Sequence, residues 1–217
     1  MVNQPYHVAI MGDLIGSEHA VSVDTLHATF NDAVDAINSE YRTALTSPLT
    51  ITLGDEFQGL CASLDDGLSI VHDLRQRLSA KSTPCRFVLG VVTLKTAINH
   101  DRAWNMMGPG LATARERLAD KRDPNAYRFS LPDHRLVADL LDALGYTVTS
   151  IEEGWTARQQ QIVTDSRSVA KVAEVFGVTP RNIYKIREAA NFKLYESVWQ
   201  AMTAAIRALD QDYGVKW

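Results

Sequence analysis

Two short acidic turns carry the chemistry this chain could do. One is Leu53-Gly54-Asp55-Glu56-Phe57, set between two apolar strand-like runs. The other is Gly12-Asp13-Leu14-Ile15-Gly16-Ser17, which directly follows the strand-like run Tyr6 to Met11. A carboxylate pair on a tight hairpin tip packs poorly but suits a hard cation. Asp13 and Asp55 meet if their strands lie side by side, and two carboxylates in a partly dry site repel unless a cation neutralises them. Mg²⁺ (or Mn²⁺) fits, since it is held by one or two carboxylates plus substrate phosphates. Asp13 and Asp55 are then the expected metal ligands, with Glu56 completing the shell or facing solvent. Backbone N–H groups around Gly16 and Ser17, where the chain turns towards a helix, could cradle phosphate oxygens. The plainer alternative is that Gly-Asp is a common turn dipeptide and both aspartates only form turns.

The elements that must position these residues follow from periodicity. A buried strand over 6–12 ends at a glycine. Ser22 or Asp24 caps a helix whose apolar face is Val23, Leu26, Phe30, Val34, Ile37 and Tyr41. Pro48 punctuates, and a hairpin follows, with strands Leu49 to Leu53 and Phe57 to Ala62. A second helix opens at Asp65-Asp66. Arg86 to Leu94 is nearly continuous in apolar residues and so reads as an interior strand. A loop around Trp104 to Gly110, a helix over 111–119, a strand over 127–131 and a helix over 132–144 complete this part. The expectation is an α+β fold of ferredoxin-like kind, an antiparallel sheet with helices on one face.

From about Gly154 the pattern becomes helical only, so a palm-like domain over 1–148 and an all-α domain over 149–217 are expected. Val169 to Ile186 fits a helix-turn-helix. Ala173 lets the helices approach, Gly177 turns the chain, and Thr179 caps a helix that opens on Pro180. Arg181, Asn182, Tyr184 and Lys185 would then face double-stranded DNA, with Thr179 at the helix start. A plain structural helix pair is the alternative. Phe192, Tyr195, Trp199, Met202, Ile206 and Leu209 form a seam at gaps of three and four, for packing on that unit or for a homodimer.

Bulk properties narrow the classes. The 217 residues are 46% hydrophobic and 22% charged, an ordinary globular composition. The net charge of −4 divides unevenly: 13 Lys/Arg against 18 Asp/Glu in residues 1–150, and 9 against 8 in 151–217. That asymmetry alone does not argue for nucleic acid. No apolar run spans a membrane, no secretory leader opens the chain, and Cys61 and Cys85 follow no metal-ligand spacing. A cytoplasmic protein with reduced thiols is expected.

Resemblances sharpen the reading. Gly54-Asp55-Glu56-Phe57 resembles the signature of diguanylate cyclases, and Asp13-Leu14-Ile15-Gly16 resembles the first metal motif of class III nucleotidyl cyclases. Those families share a palm fold in which two such acidic residues bind two metal ions. The helix carrying Ala114-Arg115 is similar to the cyclase helix whose arginine stabilises the transferring phosphates, which implies a catalytic role for Arg115. It also implies a nucleotide site at Leu14, Ile15, Gly16, Ser17, Gly54 and Asn105, the last in the place of a base-reading aspartate. This chain departs from the pattern at Leu111, where an asparagine is expected, and at Ile51, where a base-selecting lysine is expected. The tail resembles DNA-binding region 4 of sigma factors. Taken together, the Gly-Asp-Leu-Ile-Gly-Ser start, the Gly-Asp-Glu-Phe-Gln hairpin, the Arg-Phe-led strand and the Ala-Arg helix resemble the SatD family over about residues 7–195. That resemblance implies the architecture. The retained metal carboxylates and the altered base-reading positions lead to the expectation of a DNA-binding regulator with a metal- and nucleotide-binding domain, the alternative being an active cyclase or nucleotidyltransferase coupled to a DNA-binding tail.

Overall fold

The computed structural model describes residues 6–19 and 22–213. Its elements run β1 (Tyr6–Leu14), α1 (Val23–Glu40), β2 (Leu45–Leu53), β3 (Glu56–Cys61), α2 (Leu64–Ser79), β4 (Cys85–Thr93), α3 (Leu111–Ala119), β5 (Tyr127–Ser130) and α4 (Arg135–Glu153). Then come α5 (Ala157–Val163), α6 (Val169–Val175), α7 (Pro180–Ala189) and α8 (Phe192–Asp212). The five strands lie in the order β2-β3-β1-β4-β5. β1 is antiparallel to both β3 and β4, so the first four strands have the split βαβ order. β5 joins parallel to β4, the one departure from an antiparallel sheet among the described strands.

Alternation along β1 assigns the two faces. Val8, Ile10 and Leu14 enter the main core with Phe30, Ile37, Leu68 and Leu74 from α1 and α2. Ala9 and Met11 point the other way, and Met11 packs with Val88, Ala114 and Leu118. α3 therefore covers the opposite face, which corrects the expectation that all helices share one face. The reason lies in two small residues: a Cβ on Gly90 would come 3.1 Å from Ala114 Cβ, so the helix sits almost on the strand.

Three boundaries also differ. β2 begins at Leu45 and runs through Pro48, where the pairing with β3 shifts register. An edge strand tolerates a missing N–H at such an irregularity. α4 continues unbroken to Glu153, so the division at 148/149 falls inside a helix. Gly145, which directly follows the helix expected over 132–144 and so reads as its end, is instead a contact point: a Cβ there would meet the Tyr127 carbonyl at 2.3 Å.

The last helix returns to the sheet-bearing part. Tyr195, Met202, Ile206 and Leu209 belong to the same core as α2 and α4, so the final helices do not form a wholly separate layer. The buried Asp210 accepts from the Leu64 and Asp65 N–H groups at 2.7 and 3.0 Å, which satisfies two donors at the start of α2. Helices α5 to α7 have a small core of their own, Ile162, Val172, Ala173 and Ile183. Gly177 at φ +63 makes the turn between α6 and α7. Both cysteines are free and buried, and no described helix is long and apolar enough to cross a membrane.

Candidate functional site

The strand register decides what surrounds Asp13. It stands directly opposite Glu56 on β3 and Arg86 on β4, so all three side chains emerge on the α3 face. Arg86 Nε donates to Asp13 Oδ2 at 3.1 Å, and both side chains are buried. Burial raises the Asp13 pKa; Arg86 opposes that shift, Asp55 and Glu56 add to it, and Lys121 opposes it. The positive charge expected beside Asp13 is thus partly supplied by the protein itself. Arg128 on β5 shares this face through its pairing with Val88. Its guanidinium donates to the carbonyls of Asn125 (2.7 Å), Arg117 (2.7 Å), Asp120 (2.9 Å) and Asp123 (2.6 Å). It thereby closes the end of α3 and shapes the loop that carries Lys121.

Asp55 sits at the hairpin tip, where Gly54 takes φ +51 for the turn. Its carbonyl accepts from Leu14 N at 3.1 Å, and its carboxylate accepts from Ser17 Oγ at 2.5 Å. Asp55, Ser17, Gly54 and Lys121 line one shallow crevice beside α1. Leu14 N and Ile15 N are spent within the sheet, the latter on Pro84 O at 2.8 Å, so a phosphate cradle here must use Gly16 and Ser17. Among the described residues, no group of three or more His, Cys, Asp or Glu is gathered as a metal shell. Arg86 engages Asp13, and Ser17 engages Asp55.

Beside this cluster lies a groove of about 470 Å³ on the same sheet face. Ala9, Met11, Gln58 and Leu60 are its floor, Arg115 of α3 is one wall, and the 95–110 loop with Trp104 and Asn105 is the other. Asp13 and Glu56 stand one pleat beyond Met11 and Gln58, about 7 Å along the strands. Asn105 has φ +58, a conformation asparagine tolerates better than most residues. Trp104 remains 42% exposed, although it lines a cavity with an apolar floor. A flat ring open to a groove is available to stack a planar ligand.

Gln58 ties the walls together. Its Oε1 accepts from Arg115 Nη2 at 3.1 Å, and its Nε2 donates to Ala103 O at 2.5 Å. That pairing also fixes which way the amide points. Gln58, Arg86, Trp104, Lys121 and Arg128 are residues that sequence reasoning did not place in the site. The signal for the arginines was present: each interrupts an otherwise apolar strand, where an unpaired charge would be too costly.

An α+β protein is thus defined by its five-stranded sheet, a buried acid–base cluster at the end of β1, and an open groove beside it. The chain belongs to the SatD family, whose model matches residues 7–203. No curated protein matches it. Its structural neighbours are adenylyl and guanylyl cyclase domains. One is a bacterial light-regulated adenylyl cyclase, at TM-score 0.42 and 14% identity, covering 58% of this chain and 43% of that one. The matched part is thus less than half of that cyclase. Another is the dimeric guanylyl cyclase domain of the RhoGC fusion protein from the aquatic fungus Blastocladiella emersonii. It matches at TM-score 0.40 and 16% identity, covering 54% of this chain and 74% of that one.

Proposed function

We propose that the protein is a regulator whose sheet-bearing part binds a nucleotide in the groove between Trp104 and Arg115, and whose α7 contacts DNA. The carrying observation is the Asp13–Arg86 pair: an arginine already occupies one of the expected metal ligands, and Arg86 and Lys121 partly offset the carboxylates beside the groove. Such a cluster suits holding phosphates more than turning over a triphosphate through two metals. Trp104 would stack the base, Asn105 would meet its edge, and Arg115 would fork onto phosphate oxygens. Gly54, Gly16 and Ser17 would border the phosphate end.

The DNA half rests on the three-helix unit. Ala173, Gly177 and the Thr179 cap, whose side chain accepts from Asn182 N, agree with a helix-turn-helix. Arg181, Asn182, Tyr184 and Lys185 are all exposed on α7. Those side chains suit phosphates and base edges in a major groove.

A second reading keeps the carboxylates as ligands, favoured by the way Asp55 and Glu56 bear on Asp13. There Asp13, Asp55 and Glu56 would hold Mg²⁺ or Mn²⁺ in an active nucleotidyl cyclase or nucleotidyltransferase, which requires Arg86 to leave Asp13.

The deciding experiment is incubation of the purified chain with each nucleoside triphosphate and Mg²⁺ or Mn²⁺. Thermal stabilisation without pyrophosphate release, weakened in Trp104→Ala, supports the regulator. Pyrophosphate release that disappears in Asp55→Asn establishes the enzyme instead. For the tail, Arg181→Ala should weaken DNA binding and leave nucleotide binding unchanged.

A further inference from the structure

On the other side of the sheet, a crevice of about 340 Å³ opens where the 164–167 turn and the start of α8 meet α2. Its size is that of a small-molecule pocket. One wall is aromatic: Tyr195 and Trp199 are stacked, with ring centroids 6.3 Å apart and planes 14° apart. Phe192 also lines it.

The charges here do not balance. Arg167 is committed to Asp165, to which its Nε donates at 2.8 Å. Hydrogen bonding to Arg167 pushes Asp165 down to about 2, so the acid stays ionised and engaged. His72 is held between Tyr195 OH at 2.8 Å and Asp73 at 3.5 Å. Arg187, from the last turn of α7, also acts on Asp165 and helps lower its pKa, so two guanidiniums share that one carboxylate. Its guanidinium lies 4.9 Å from the Phe192 ring centre, and its Nε is buried with no hydrogen-bond partner among the described residues. One positive charge is left over, with an N–H shielded from water and unsatisfied. Proteins rarely leave such a donor without a purpose.

We propose that this crevice binds a small organic monoanion with a flat ring, an aryl carboxylate in class. Its carboxylate would pair with Arg187, and its ring would lie along the Trp199–Tyr195 wall. A single charge matches the single surplus guanidinium, and a planar body matches the aromatic wall better than a bulky one. Bound there, the ligand would touch α7 and α8 at once and fix the three-helix unit against the core.

The test titrates the full-length chain with benzoate, cyclohexanecarboxylate and inorganic phosphate. Calorimetry is the first readout and the Arg187 Nε–H nuclear magnetic resonance signal the second. The expected result is saturable binding of one benzoate with movement of that signal. Binding should be at least tenfold weaker in Arg187→Gln, and several-fold weaker for cyclohexanecarboxylate. Absence of saturable benzoate binding overturns the proposal, as does equal affinity in Arg187→Gln or phosphate binding as tightly as benzoate. If Arg187→Gln does not fold, the wild-type signal decides: an Nε–H that benzoate leaves unmoved also overturns it.

Discussion

Arg86 Nε and Asp13 Oδ2 lie 3.1 Å apart on directly paired positions of β4 and β1, both side chains buried. Breaking such a pair leaves one charge in a poor solvent, which costs about 3–5 kcal/mol. Arg86→Met is therefore expected to be strongly destabilised, and Asp13→Leu combined with Arg86→Met much less so. Urea unfolding of the two single variants and the double checks this. Additive losses would show that the pair acts as two independent residues.

Gly145 gives a second outcome in which two effects compete. Alanine is the better helix former by about 1 kcal/mol. Its Cβ, however, would stand 2.3 Å from Tyr127 O and 3.1 Å from Asn125 Oδ1, and overpacking costs about 1–3 kcal/mol or more. Sterics should win, so Gly145→Ala should lower the melting temperature by several degrees. Gly154→Ala is the control, since its nearest contact would be 3.4 Å and its φ is an ordinary −77. Equal melting temperatures for the two variants would refute the close-approach account.

What the sequence made legible follows from the kind of information each feature needs. The strands and helices around Asp13 and Asp55 show in local periodicity, and so do the Ser22 and Thr179 caps. Arg86 was visible as the start of a strand but not as the partner of Asp13, because that depends on the antiparallel register of β4 against β1. Gly145 has the composition of a break; only the position of β5 beneath it shows a packing contact. The α8 seam was visible, but whether it faced α7, a second copy or α2 and α4 is a long-range matter that spacing cannot decide. Asn105 and Arg115 do share a groove with Gln58 between them, and Gln58 passes unnoticed in the hairpin because its two partners are far away in sequence.

Asp210 makes a pH prediction. Burial raises its pKa, the Leu64 and Asp65 N–H groups oppose this, and Asp65 and Asp66 add to it, for a net rise. A carboxyl that binds its proton more tightly folded than unfolded contributes stability at low pH. That contribution is lost as pH climbs from the unfolded value of about 3.9 through the folded one. Asp210→Asn cannot titrate. The stability of wild type relative to Asp210→Asn should therefore fall as pH rises from about 4 towards neutrality, measured by urea unfolding at each pH. Parallel curves would mean Asp210 titrates alike in both states.

The bridge at Gln58 predicts how the groove holds its shape. The 95–110 loop has little core of its own and hangs on polar links: Gln58 Nε2 to Ala103 O, Ala103 N to Thr50 Oγ1 at 2.9 Å, and Ser47 Oγ to Asn99 O at 2.6 Å. Each such bond contributes about 0.5–1.5 kcal/mol net. Gln58→Ala should thus cost only about 1–3 kcal/mol globally, yet the loss should concentrate in the loop and in the Arg115 side chain. Hydrogen exchange is expected to speed up at the amides of Ala103 and Met107 while the β1–β4 amides stay protected. Thr50→Val, which removes a different link to the same loop, should reproduce the exchange pattern without releasing Arg115. If Gln58→Ala leaves loop exchange unchanged, the groove wall is held by its apolar contacts with Leu60 and Val92, and Gln58 has no positioning role.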